Sequence, residues 1–140
     1  MINLLIEPND EFVVEFAVAK DKNGRIYSDT NLVDLKEMLS TVGIECEIEE
    51  HSATFKKPNF KDVVDMAEAF YGSTGGRISI NLIQDKYKKV TKLIKSWTFK
   101  DLSGNEIKPT QENINKLEPI VAQVIADKVD IETGGTLSGF

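Results

Sequence analysis

Few residues in this chain could carry chemistry. His51 is its only histidine and Cys46 its only cysteine. A lone histidine builds no zinc cluster, and no histidine-based triad is legible around it. Placed next to Glu50 at a strand end, it reads as a solvated side chain. Cys46 alternates with glutamates in Ile44-Glu45-Cys46-Glu47-Ile48, so it falls with the apolar set. No histidine or cationic residue adjoins it in register to lower its pKa, which makes it a buried structural thiol. Asp101-x-Ser103-x-Asn105 starts like a calcium loop, but Glu106 stands where the sharp turn needs glycine. Gly72-Ser73-Thr74-Gly75-Gly76 invites a phosphate-loop reading. It lacks both the terminal Lys-Ser/Thr and the Gly-x-Gly-x-x-Gly spacing, and it follows a helix pattern where both motifs follow a strand. It reads as a flexible connector. Carboxylates are plentiful, yet none is flanked by the aromatics and glycines that shape a sugar cleft. The expectation is a protein without catalysis, cofactor or metal.

Charge points toward partners. The net charge of −6 argues against bulk nucleic-acid binding. It is unevenly placed: Glu45, Glu47, Glu49 and Glu50 sit close together, while six lysines gather between Lys86 and Lys100. Both runs read first as solvated faces, and second as an acidic edge and a basic helix that steer an assembly. Apolar runs of only a few residues exclude a transmembrane helix, and MINLLIEPNDE lacks the basic start of a signal peptide. A single cysteine excludes an internal disulfide framework and suits a reducing cytoplasm.

The elements behind these residues are extended first and helical later. Ile2–Ile6 and Phe12–Ala19 look extended; in the second, Phe12, Val14, Phe16 and Val18 alternate with the rest, as in a half-buried strand. Lys22-Asn23-Gly24-Arg25 is a turn signal leading to a returning strand around Arg25–Tyr27. Asp29 or Thr30 can cap a helix from Leu32 to Val42, with Leu32, Leu35, Met38 and Leu39 inward and Gly43 at its end. Ile44–Ile48 is a strand with one wet face, which Ser52–Lys56 continues or returns. Pro58 stops it, and Asn59 and Asp62 open a helix, Phe60–Tyr71, with Phe60, Val63, Val64, Ala67 and Phe70 at helical spacing.

The organising stretch is Ile80–Ile125. Ile80, Ile83, Tyr87, Val90, Ile94 and Trp97 step by threes and fours, laying one stripe on a long helix capped by Ser79 and leaving the lysines largely off it. A polar turn around Asp101, Ser103, Gly104 and Asn105 follows. Pro109-Thr110 then opens a second helical segment with Ile114, Leu117, Val121, Val124 and Ile125 on one face, and Pro119 falls in the first turn of a further helix, Ile120–Ile131. Neither stripe can hide alone, so the two segments should fold back as a helical hairpin. Trp97, the only tryptophan, is expected in the core or at an interface.

The same stretch carries a resemblance. Leu93-Ile94-Lys95-Ser96-Trp97, then Asp101, Gly104, Ile107-Lys108-Pro109-Thr110, Ile114, Leu117 and Pro119 resemble the C-terminal half of tail assembly chaperones of long-tailed bacteriophages. Phe55-Lys56-Lys57-Pro58-Asn59-Phe60 is similar to the helix entry of such proteins and of some baseplate hub components. The resemblance covers roughly Phe55–Ile131. It implies a protein of the host cytoplasm that binds the tape-measure protein before the tail tube forms around it, with a longer frameshifted product in the family. The contact or supporting residues would be Tyr87, Val90, Ile94 and Trp97, with Lys86 and Lys89 adding charge.

The fold expectation is α+β: a small N-terminal antiparallel sheet with one helix, then a mainly helical half organised around the long helix and its hairpin. Residues 1–57 form the β-rich part, 58–131 pack on it as one domain, and 132–140 are a flexible tail. Competing readings are a structural virion subunit of baseplate, hub or connector, and a small nucleic-acid-binding regulator. A homo-oligomer is open, and no membrane partner is expected.

Overall fold

The computed structural model describes residues 1–72 and 82–134, the side chains of 68–72, 82 and 83 excepted. The sequence expectations for Ser73–Gly76, Ser79, Ile80, the side chains of Phe70 and Ile83, and the tail from 135 onward lie outside the described residues.

The fold is α+β, built on a four-stranded antiparallel sheet in the order β2-β1-β3-β4. Strand β1 (Glu11–Asp21) turns at Gly24 into β2 (Ile26–Asp29). Helix α1 (Leu32–Val42) follows, then β3 (Cys46–Lys56), which runs the full length of β1. The stretch Ser52–Lys56 therefore continues the strand begun at Cys46. Helices α2 (Phe60–Gly72) and α3 (Leu82–Leu93) lead into β4 (Ile94–Trp97). The short α4 (Gln111–Asn115) and α5 (Pro119–Glu132) complete the order.

Alternation along β1 gives the sheet two apolar faces. Val14 and Phe16 point to the larger core, with Ala53 and Phe55 of β3, Met66 of α2, Val90 and Leu93 of α3, and Val121, Ile125 and Val129 of α5. Ala17 and Ala19 point the other way, where Leu35 and Leu39 of α1 cover them. Alanines on this face let the α1 backbone approach closely, and the burial supplies the α1 docking energy.

Local signals fix the ends of these helices. The Asn31 side chain accepts the Val33 and Asp34 amide hydrogens, so it caps α1 in place of Asp29 or Thr30. The cap falls to whichever residue directly precedes the first helical one, here Leu32. Gly43, at φ 72°, closes α1 in the left-handed region. Asn59 and Asp62 cap α2 reciprocally: each backbone N–H donates to the other's side chain, at 3.0 and 2.9 Å. Pro119 occupies the first turn of α5.

Several expectations are corrected. The long helix through Trp97 ends at Leu93, and Ile94–Trp97 form β4 on the outer edge of β3. A three-four spacing cannot distinguish the last helical turn from a short apolar strand, and Ile and Trp suit a strand well. What decides is the edge of β3: Ala53 pairs with Trp97 and Thr54 with Ser96, satisfying backbone groups that a helix would leave open. The polar turn at Asp101–Asn105 is thus a β-type turn closed by a Lys100–Glu106 bridge, not a loop between two helices. Helices α3 and α5 do pack together, but β4, this turn and α4 all lie between them. Residues 58–131 therefore contribute a strand to the sheet as well as helices. Ile2–Ile6 form no strand, and Ile2, Leu4 and Leu5 are exposed. Met38, Phe60 and Val64 are exposed where inward positions were expected, and Met66 is buried instead.

Candidate functional site

The six expected contact residues lie on α3 and β4, and most face inward. Val90 and Trp97 belong to the larger core, and Ile94 packs against it half-buried. Trp97 is 9% exposed, and its indole N–H donates to the Ile107 carbonyl, tying β4 to the segment beyond the turn. Its ring meets Phe99 edge-on at 5.0 Å. Tyr87 is exposed: its hydroxyl donates to Asn115 Oδ1 at 2.7 Å and accepts from Gln111 Nε2 at 3.2 Å. These contacts link α3 to α4.

The lysine run is only partly a solvated face: Lys92, Lys95 and Lys100 are exposed, while Lys86 and Lys89 turn toward α5. Lys86 Nζ lies 2.6 Å from Asp127 Oδ1, and Lys89 Nζ lies 2.9 Å from Asp130 Oδ1. The two pairs repeat at one helical step between α3 and α5. The Asp127 carboxylate, through its hydrogen bond, holds the Lys86 ammonium above the usual lysine value. Lys89 is 2% exposed, with its charge inside the interface. Lys92 reaches Asp65 at 4.0 Å, and Lys95 reaches Glu11 at 2.9 Å. Four lysines of the run are thus matched by carboxylates of the same chain, because α3 and β4 are hemmed by acidic positions on α5, α2 and β1.

His51 is also not a plain solvated residue. Its ring lies over Phe16 and tilts against Phe99, at 6.0 and 4.8 Å. Nε2 is 2.8 Å from Glu49 Oε2, and Nδ1 is 2.9 Å from Thr98 Oγ1. A carboxylate only accepts, so Nε2 carries a hydrogen toward Glu49, while the Thr98 hydroxyl lies within reach of both Nδ1 and the Ser52 carbonyl, at 2.9 and 3.2 Å. Cys46 packs half-buried against the smaller cluster, and that burial pushes its thiol above the ordinary value. An inert thiol follows. The calcium-like start is satisfied internally: Asp101 Oδ1 accepts the Ser103 and Asn105 amide hydrogens at 2.9 and 3.0 Å. Glu112, the twelfth position counted from Asp101 as the first, pairs with Lys116.

Two surfaces among the described residues bear on binding. The first is the outer edge of β3. Strand β4 covers only Ala53–Phe55, and Thr98 extends the pairing to Ser52, whose carbonyl accepts the Thr98 amide hydrogen at 3.0 Å. Among the described residues no strand lies outside Cys46–His51. Alternation from Ser52 turns the backbone N–H and C=O of Glu50, Ile48 and Cys46 outward, while His51, Glu49 and Glu47 pair with β1. Glu47, Glu49 and Glu50 are exposed along it. Where β4 leaves this edge, a cavity of about 500 Å³ opens, lined by Glu15, Glu50, Ser52 and Thr98 and by the start of α1. Sequence reading found the acidic run but not that it flanks an open sheet edge, since edge position is a property of the pairing order. The second surface is the opening segment, where Leu4 is 85% and Leu5 73% exposed.

The geometry thus defines an α+β protein that carries, among the described residues, an acidic sheet edge and an apolar opening segment. No family model, no curated protein and no solved structure matches the chain. Among the described residues no helix is long and apolar enough to cross a membrane.

Proposed function

We propose that this chain is a non-catalytic protein that binds the tape-measure protein in the host cytoplasm while a long phage tail is assembled. The observation that carries the reading is the opening segment: Met1, Ile2, Leu4 and Leu5 project from the fold and pack against none of its core. Apolar side chains held in solvent gain by covering apolar helix faces of a long client, which is what a tail chaperone must do. The resemblance over Phe55–Ile131 supplies the identity of that client. Its residues form one connected block, in which Trp97 is bound to Ile107, Thr110 caps α4 and Pro119 starts α5. In this reading Val90, Ile94 and Trp97 support the fold, and contact falls to the opening segment. A nucleic-acid role is disfavoured by the carboxylates that already hold Lys86, Lys89, Lys92 and Lys95.

Co-expression with the product of the long gene just downstream tests this. The expected result is co-purification, loss of it in a Leu4→Asp/Leu5→Asp variant, and absence of the chain from finished particles. Stoichiometric presence in particles without client binding would make the chain a structural subunit of baseplate, hub or connector.

A further inference from the structure

We propose that the outer edge of β3, from Cys46 to Glu50, is a docking site for an extended segment of a partner protein carrying lysine or arginine at alternate positions, which adds as a fifth strand. Three observations converge. The backbone groups of Cys46, Ile48 and Glu50 point away from β1, and β4 stops short of them. An edge strand with outward N–H and C=O groups is a template for strand addition. Its charge selects the addition: Glu47 and Glu49 flank it on one face and Glu50 on the other, so a like or neutral strand is repelled or unrewarded while a basic one is matched. Ile48 and Cys46, half-buried against the α1 cluster, offer an apolar row beside Glu50 on that second face. Beside Ser52, on the face that α1 covers, a cavity lined by Glu15 and Glu50 keeps that end of the edge acidic as well. Main-chain bonds would give affinity and the glutamates direction. The site is independent of the tail-assembly reading, because it rests on the open edge and its charge, and its test uses no phage component.

The probe is a dye-labelled peptide, acetyl-Lys-Val-Lys-Val-Lys-Val-amide, added to the full chain and followed by fluorescence anisotropy and amide hydrogen exchange. In the free chain the Ile48 and Glu50 amides should exchange at least tenfold faster than Glu49 and His51, and the peptide should slow them at least tenfold. A peptide with glutamate for lysine should not bind. Glu47→Lys with Glu49→Lys should weaken binding at least tenfold. So should Glu50→Pro, which removes an outward N–H without touching the β1 ladder, with the unfolding midpoint of each variant checked in parallel. Should Glu50→Pro fail to fold, the unmodified protein still decides: N-methylation of one alternate set of peptide amides abolishes binding and of the other set does not. Binding indifferent to both N-methyl sets would be charge adsorption and would overturn the proposal. Slow exchange of Ile48 and Glu50 in the free chain would also overturn it. Sedimentation would then distinguish a second copy from this chain's own residues 73–81 or 135–140 as the occupant.

Discussion

Lys89 of α3 donates from Nζ to Asp130 Oδ1 of α5 at 2.9 Å, with the lysine side chain 2% and the aspartate 15% exposed. Together with the Lys86–Asp127 pair one turn away, it sets the register of α3 against α5 over the larger core. An apolar seam would let α3 slide against α5; two charge pairs repeated at the same offset admit one alignment.

Removing one partner should therefore cost more than removing both. Lys89→Met leaves Asp130 without its hydrogen-bonded cation in the interface and should lower stability by about 3–5 kcal/mol. Lys89→Met with Asp130→Leu should recover most of that loss, since apolar residues of similar volume replace buried pairs at little cost. Urea unfolding of both variants decides it; equal losses would mean that the pair does not act as a unit.

Trp97 provides a second test, with an internal probe. Trp97→Ala empties a core position and removes the donor to Ile107, so a loss of about 3–5 kcal/mol is expected. Trp97→Phe keeps most of the volume and should lose less, about 1–3 kcal/mol for the unsatisfied Ile107 carbonyl and the changed shape. As the only tryptophan, it should emit at short wavelength in the folded chain and shift red on unfolding. Client capture falling well before stability in Trp97→Ala would return it to the contact surface.

The start of α2 should be acid-sensitive. The Lys56 ammonium, hydrogen-bonded at 2.9 Å, and the Asn59 amide hold the Asp62 carboxyl below the usual aspartate range. A carboxyl whose folded value is depressed adds stability above its unfolded value, about 4, and that contribution fades as pH falls through the lower folded value. Asp62→Asn should cost about 1 kcal/mol at neutral pH through the weakened cap. The gap between variant and parent should close as pH drops below about 4. Thermal melts from pH 7 to pH 2.5 measure it, and a gap independent of pH would exclude the carboxylate as its source.

One turn device is used twice. In Asp21–Arg25 and again in Asp101–Asn105, the aspartate side chain accepts the amide hydrogens two and four residues on. Its own N–H donates to the carbonyl at the fourth position, and the glycine between sits at φ 84° or 83°. Gly24→Ala and Gly104→Ala should each cost about 1 kcal/mol, because alanine is strained in the left-handed region. The Asn variants at the same sites should cost less, since asparagine tolerates that region. Chemical denaturation of the four variants would show the order; alanine and asparagine of equal cost would deny the strain.

Much of the fold was legible. The alternation Phe12–Val18, the Asn23-Gly24 turn, the α1 span Leu32–Val42 with its Gly43 stop, the Asn59–Asp62 helix start and Pro119 at the head of α5 all follow from interactions within a few residues of chain. Those interactions are encoded where they act. Ile94–Trp97 was not legible, because its three-four spacing satisfies a helix until the edge of β3 is in view. Nor was the fate of the lysines: α3 carries them, but their partners Asp127 and Asp130 stand 41 residues on, and no local pattern links them.

The sequence by itself thus determined the β1, α1, α2 and α5 spans, the turn at Gly24, the Gly43 stop, the Asn59–Asp62 helix start and the α+β class, since each rests on backbone preference and short-range hydrogen bonding. The tertiary structure alone decided that Trp97 lies within a sheet-backed core, that the basic helix is internally neutralised, and that the acidic run flanks an unpaired strand edge. Those outcomes depend on which distant segments become neighbours. Burial and pairing are settled by the whole chain minimising exposed apolar surface and unpaired polar groups together.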